Sequence, residues 1–218
     1  MRKTPATSIF IFVTLFFLTA LTSLAASYGA SLLLPEGSFR PLILVGLFLG
    51  FYLSFAISFY RLFLFFFPVT TGYLDKGTRP EMISYVVVLF YLVIFNSLIR
   101  SHIIPVPFLS ALYRALGAKI GHNSYVAGVL LDPHLTQIGD NSIVGHGAVV
   151  FAHVIEGEDY ELAPVKLGSS VTIGANSVIM PDVHIGDGAI VACGSVVSKG
   201  ARIPAGETWG GVPAKKLK

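Results

Sequence analysis

Charge is scarce in this chain. Only 12% of its 218 residues are Asp, Glu, Lys or Arg, against 54% hydrophobic, and the mean hydropathy is +0.74. That balance excludes an ordinary soluble globular protein. Cysteine is nearly absent: Cys193 alone permits no intramolecular disulfide, and it lacks the spaced partners of a zinc or redox motif. A basic surplus is missing too. The formal net charge of +3 divides into seven Lys or Arg against three Asp or Glu before residue 111, and eight against nine after it. No basic face for nucleic acid is visible, so nucleic acid is excluded as a partner.

What is present is unevenly spread. Sixteen of the 17 Phe precede residue 111, and 16 of the 22 Gly follow it. Two different structures are joined near residue 110. Ile9 to Ala26, Leu42 to Pro68 and Ile83 to Ile104 are apolar stretches near the roughly 20 residues a helix needs to cross the hydrocarbon core. They predict a membrane domain over residues 1–104 with about three transmembrane helices. The first resembles a signal peptide, with Arg2 and Lys3 ahead of it and small residues at Ser23 to Ala26, but further apolar segments follow and favour an uncleaved anchor. Orientation signals conflict. Arg2 and Lys3 draw the N-terminus inward while Arg100, Arg114 and Lys119 draw in the opposite end of a three-helix bundle. Either one segment is re-entrant, with the long second stretch the natural suspect, or the N-terminal signal loses. Arg61 interrupts that second stretch; it snorkels toward an interface or serves a function. Residues 105–118, with Phe108, Leu109, Leu112 and Leu116 at helical spacing and Gly117 as a stop, predict an amphipathic helix and linker on the membrane surface.

From residue 119 onward an aliphatic residue recurs every six positions: Ile120, Val126, Ile138, Val144, Val150, then Leu167, Ile173, Ile179, Ile185, Val191, Val197 and Ile203. Only Asp132 breaks the series. Four residues after these positions sit small or Val/Thr side chains, such as Ser124, Thr136, Ser142, Ala148, Ser177, Ala189 and Ser195, with Leu130 and Glu207 as exceptions. A six-residue period is neither a helix nor a plain strand. It is a short strand plus a turn, repeated, and three such units close a triangular coil with the aliphatics inside. Residues 119–218 are therefore expected to form a parallel β-helix.

The period fails once more. From Val150 the count predicts position 156, but the series resumes at Leu167, so residues 156–166 form an inserted loop beginning just after His153. Insertions on a rigid scaffold are where function is usually placed. Counting by eighteen, one coil, sets His134 beside position 152, with Asp132 in the same strand as His134. His122 and His146 fall on other faces and His184 at a later corner.

The motif [LIV]-[GA]-x-x-[STAV]-x and the closing Gly211-Val212-Pro213-Ala214-Lys215 run resemble the hexapeptide-repeat acyltransferases. The resemblance implies an all-β left-handed β-helix behind the N-terminal transmembrane α-helices, and it implies transfer of an acyl group, acetyl by default, from acetyl-CoA or another acyl-CoA. Phe151 to Glu156 and Leu131-Asp132-Pro133 are similar to elements of the membrane-attached terminal domains of some nonribosomal peptide synthetases. Maltose and galactoside O-acetyltransferases carry a catalytic His at the same loop, about two positions later in the repeat. The resemblance makes His153 the expected general base, with His134 the alternative, Glu156 or Asp132 orienting the ring and Asp132 near substrate. An unperturbed imidazole titrates near neutral pH, as this chemistry requires. Coenzyme A contacts carried over by position fall on Ala175, Cys193, Ser198, Lys199, Lys215 and Lys218, between the subunits of a homotrimer. No metal is expected. The implied acceptor is a membrane-proximal hydroxyl or amine, on a glycan, a lipid-linked sugar or a peptide, and the implied location is a bacterial-type inner membrane with the repeat domain in the cytosol. A zinc protein like the γ-class carbonic anhydrases and a non-catalytic membrane scaffold are the competing readings.

Overall fold

The computed structural model describes residues 2–101 and 103–218. Two long helices, α1 (Ala6–Ser31) and α2 (Arg40–Phe66), lie side by side. Thr19, Ser23 and Ser27, four residues apart, form the buried stripe of α1. Small side chains at this spacing let two apolar helices approach closely. Their hydroxyls leave no orphan in the interface, since Ser23 donates to Thr19 O at 2.6 Å and Ser27 to Ser23 O at 2.8 Å. Helix α3 (Arg79–Phe90) follows and passes through a π-helical turn, Tyr91–Phe95, into α4 (Asn96–Arg100). All three stretches are long and apolar enough to cross a membrane, each with a mean hydropathy of 2.3.

The second half is a parallel β-helix of the left-handed hexapeptide type. Its strands stack in three ladders. On one face Ile120 pairs with Ile138, Ile138 with Leu167, Leu167 with Ile185 and Ile185 with Ile203. Each step is one coil of eighteen residues, except 138 to 167, which contains the insertion. Val126, Val144, Ile173 and Val191 are all at most 1% exposed inside the prism, as the period requires. Corners are turned by Asn123, Asn141 and Asn176 at φ of 52–57°, a left-handed conformation that Asn tolerates better than most residues. Coils approach so closely at Gly145 that a Cβ there would fall 2.7 Å from the Ala175 amide nitrogen.

Helix α5 (Val106–Ala115) precedes the first coil. Its apolar face turns onto the first coil, where Leu109, Leu112 and Tyr113 are buried. The Tyr113 hydroxyl donates to Gly128 O at 3.0 Å and accepts from Leu130 N at 3.2 Å. A first coil has no coil before it, so α5 covers the end of the prism that would otherwise expose core and unpaired backbone.

The insertion is a β-hairpin, His153–Glu156 paired antiparallel with Asp159–Leu162. Gly72–Tyr73, from the connection between α2 and α3, adds a third antiparallel strand. Tyr160 on the hairpin is buried against α3: its hydroxyl lies 2.5 Å from Ser84 Oγ and its ring 5.3 Å from the Tyr85 ring. Beneath it Arg2 pairs with Glu81 at 2.8 Å, both side chains 2% exposed. The insertion thus joins the two halves of the molecule.

Candidate functional site

The break in the six-residue series locates the site. Leu130 pairs with Val150, so Leu130 takes the inward place that the count assigned to position 132. The chain gains two residues there, absorbed by a 3-10 turn at Pro133–Leu135. Asp132 is displaced to the edge of the coil. It lies beside Ala152, where the eighteen-residue count had placed His134, and neither residue is in a strand.

Asp132 is 3% exposed, and its Oδ2 accepts from the Ala152 backbone N–H and meets His153 Nδ1, both at 2.7 Å. Oδ2, the oxygen that could have met a substrate, is thus engaged with protein groups. Burial works to raise the Asp132 pKa. The His153 hydrogen bond and charge, the His134 charge and the Ala152 N–H together outweigh it and hold the carboxyl below its usual value. For His153 burial works downward, but the hydrogen bond and charge of Asp132 win and raise the imidazole above its usual value. The His153 side chain remains 27% exposed. With Nδ1 committed to Asp132, Nε2 is the nitrogen left for an acceptor. A buried carboxylate fixes the ring and favours the imidazolium.

Glu156 does not orient His153. The two are three residues apart on one strand and project to opposite sides of it. Glu156 Oε2 instead lies 3.4 Å from Lys199 Nζ, which also pairs with Glu161 at 2.5 Å. These carboxylates, Glu161 first, raise the Lys199 pKa. Lys199, expected on a coenzyme phosphate, is therefore engaged in tying the hairpin to a later coil.

His134 sits within the 3-10 turn that follows Asp132, its Nδ1 at 3.2 Å from the Tyr60 hydroxyl of α2. Burial, followed by the positive charges of His153 and Arg61, lowers its pKa against the opposing Asp132. Tyr60 had no signal in the sequence, being one aromatic among many in an apolar run.

Ala175 and Cys193 lie eighteen residues apart at one corner of successive coils, where Gly194 N donates to Ala175 O at 2.9 Å. Lys215 flanks that edge through its pairing with Gly210, and Lys218 O accepts from Thr208 N at 3.0 Å. Ser198 follows Val197 at the opposite corner with Lys199, on the ladder that runs through Val150 beside the hairpin. Within one chain these six residues form two edges rather than one patch. His184, expected at a corner, lies in a strand, in register with Lys166 and Arg202. His122 and His146 are exposed at turns away from the Asp132–His153 pair.

Residues 164–199 match the family model described as "Bacterial transferase hexapeptide (six repeats)". It is 38% identical over 109 residues to "Putative acetyltransferase YvoF" of Bacillus subtilis, covering 48% of this chain and 62% of that protein. It is 46% identical over 80 residues to the 2,3,4,5-tetrahydropyridine-2,6-dicarboxylate N-acetyltransferase of Staphylococcus aureus (37% and 31% covered), and 36% identical over 83 to the mitochondrial γ carbonic anhydrase 2 of Arabidopsis thaliana (38% and 26%). The chain thus spans from about a quarter to three fifths of the length of these relatives. Because both enzyme classes share the repeat, activity has to be argued from the site.

Proposed function

We propose that this protein is a membrane-attached acyltransferase that moves the acyl group of an acyl-CoA, by default acetyl, to a hydroxyl or amine of a membrane-proximal acceptor. The observation that carries this reading is the 2.7 Å bond between His153 Nδ1 and buried Asp132, at the base of a hairpin shared by both halves. His153 Nε2 takes the acceptor's proton as its oxygen or nitrogen attacks the thioester carbonyl. The imidazolium that forms is stabilised by Asp132. Collapse of the tetrahedral intermediate breaks the C–S bond, and the proton passes to the departing coenzyme A thiolate. No covalent acyl-enzyme is needed. The similarity to two proteins described as acetyltransferases supports the choice of donor. The two edges, Ala175–Cys193–Lys215–Lys218 and Ser198–Lys199, suit a coenzyme lying between neighbouring subunits of a trimer, one edge from each.

In this reading only α1 and α2 cross the bilayer. The α3–α4 segment touches the repeat domain at both ends, at Ser84 through Tyr160 and at Ile99 and Arg100 through a cavity shared with Val129. A helix crossing a hydrocarbon core about 30 Å thick would set those ends on opposite sides. Two crossings also remove the conflict of charges: Arg2, Lys3, Lys76, Arg79, Arg100, Arg114 and Lys119 share the side of the repeat domain, the cytosolic one by the positive-inside rule. Labelled acetyl-CoA incubated with the full chain and extracted bacterial membranes tests the function. Transfer of label to a lipid, glycan or peptide supports it; an intact donor after prolonged incubation contradicts it.

A further inference from the structure

A cavity of about 280 Å³ opens where α2 meets the first coil, between Arg61, Leu64 and Phe65 of the helix and Gly117, His134 and Leu135 of the other half. We propose that it seats the phosphate of a membrane lipid, with the guanidinium of Arg61 on the headgroup and the chain along Leu64 and Phe65. Resting on the acyltransferase reading, this makes the acceptor a phosphate-bearing lipid.

Arg61 lies five residues before the end of α2, about 7.5 Å at the helical rise. The apolar residues around that end, Leu62, Phe65 and Phe66, are 50–78% exposed and face lipid in the two-crossing arrangement. The guanidinium is folded back over the coil: a Cβ on Gly117 would fall 2.6 Å from Arg61 Nη1 and 3.2 Å from His134 Cβ. Gly117, at φ +107°, therefore keeps the floor of the cavity open. Among the described residues no carboxylate pairs with Arg61 within 4.0 Å, and Asp132 is committed to His153 and Ala152. Arg61 is exposed at this apolar surface, where its cation is open to an anion of the membrane interface, and a forked guanidinium suits phosphate. The remaining walls, Leu64, Phe65, Val69 and Leu135, are apolar. A soluble anion would leave them wet, whereas a lipid covers them. The cavity also adjoins His134, whose neighbour Asp132 holds the base, so a headgroup seated there is close to the proposed chemistry.

The test is binding of short-chain phosphatidic acid and of the matching diacylglycerol to the full chain in neutral detergent, followed by native mass spectrometry or fluorescence. Phosphatidic acid should bind at least about ten-fold more tightly, as expected for one charge-assisted contact. Arg61→Gln should abolish the difference and Arg61→Lys should keep part of it. Leu64→Trp, filling the groove, should weaken both lipids. Equal binding of the two lipids, or an unchanged preference in Arg61→Gln, overturns the proposal, as does displacement of phosphatidic acid by millimolar inorganic phosphate, which would point to a soluble anion. Coenzyme A affinity, measured on the same samples, reports folding of each variant. Its absence in the unmodified chain would remove the acyltransferase reading while leaving the lipid seat standing.

Discussion

The three apolar helical stretches share a mean hydropathy of 2.3, yet half of the most apolar 18 residues of Arg79–Arg100 are buried inside the molecule, against 17% of those in α1 and 6% in α2. Hydropathy records that a segment must leave water; it does not record what covers it. Lipid would cover α1 and α2, whereas much of α3 is covered by protein: Phe12 from α1, Tyr60 from α2 and Tyr160 from the hairpin. The repeat half behaves differently, because its period dictates which side chain faces inward and which coil it meets. The candidate site lies on the seam, with His153 held by the register of the repeat and His134 held by Tyr60 of the apolar half.

If the chemistry belongs to the repeat side of that seam, Asp132→Asn should lower acyl transfer by about 10² to 10⁴-fold, with coenzyme A affinity little changed. Tyr60→Phe, which removes only the hydroxyl on His134, should leave the rate within a few-fold. A large loss in Tyr60→Phe would move the chemistry to the apolar side. The join itself is probed by Glu81→Ala, which leaves Arg2 buried without its partner and should destabilise the chain by about 3–5 kcal/mol, read as a lowered thermal midpoint in detergent. Tyr113→Phe strips the α5 cap of a hydroxyl that serves Gly128 O and Leu130 N; about 1–3 kcal/mol should be lost. A smaller contrast concerns the lysines. Since Lys199 is bound by Glu161 and Glu156, Lys199→Ala should weaken coenzyme A less than Lys215→Ala does, and calorimetry would reverse the two if Lys199 were the phosphate ligand.

The His153–Asp132 pair also sets a pH dependence. The His153 pKa is raised from 6.5, so its contribution to stability is complete below about 6.5 and is lost as pH climbs through the higher folded value. The Asp132 pKa is lowered from 3.8, so its contribution is present above about 3.8 and is lost as pH falls through the depressed value. Unfolding followed across pH should therefore show a maximum between these limits for this pair, absent in Asp132→Asn.

Much of the repeat half was legible, because a six-residue spacing has few structural solutions. Even the site was marked, since Leu130 and Asp132, two of the exceptions to the repeat, are one local shift. Its direction was not legible. Counting by eighteen assumes every coil is equal, and the two added residues at the 3-10 turn put Asp132, not His134, beside Ala152. Of the two carboxylates open to the ring, Glu156 falls on the far side of the strand, because an interval of three in a strand reverses the side chain, while the same interval in a helix would not. The burial of α3 and the docking of Tyr160 rest on contacts between distant segments, for which the sequence carries no period.

The most direct test compares His153→Ala with His134→Ala in acyl transfer from acetyl-CoA, using the full chain and the acceptor fraction that takes up label. His153→Ala should lose about 10² to 10⁴-fold in rate with coenzyme A affinity held within a few-fold, and His134→Ala should retain most of its activity. An active His153→Ala, whatever His134→Ala does, would contradict the assignment of the base to the Asp132–His153 pair.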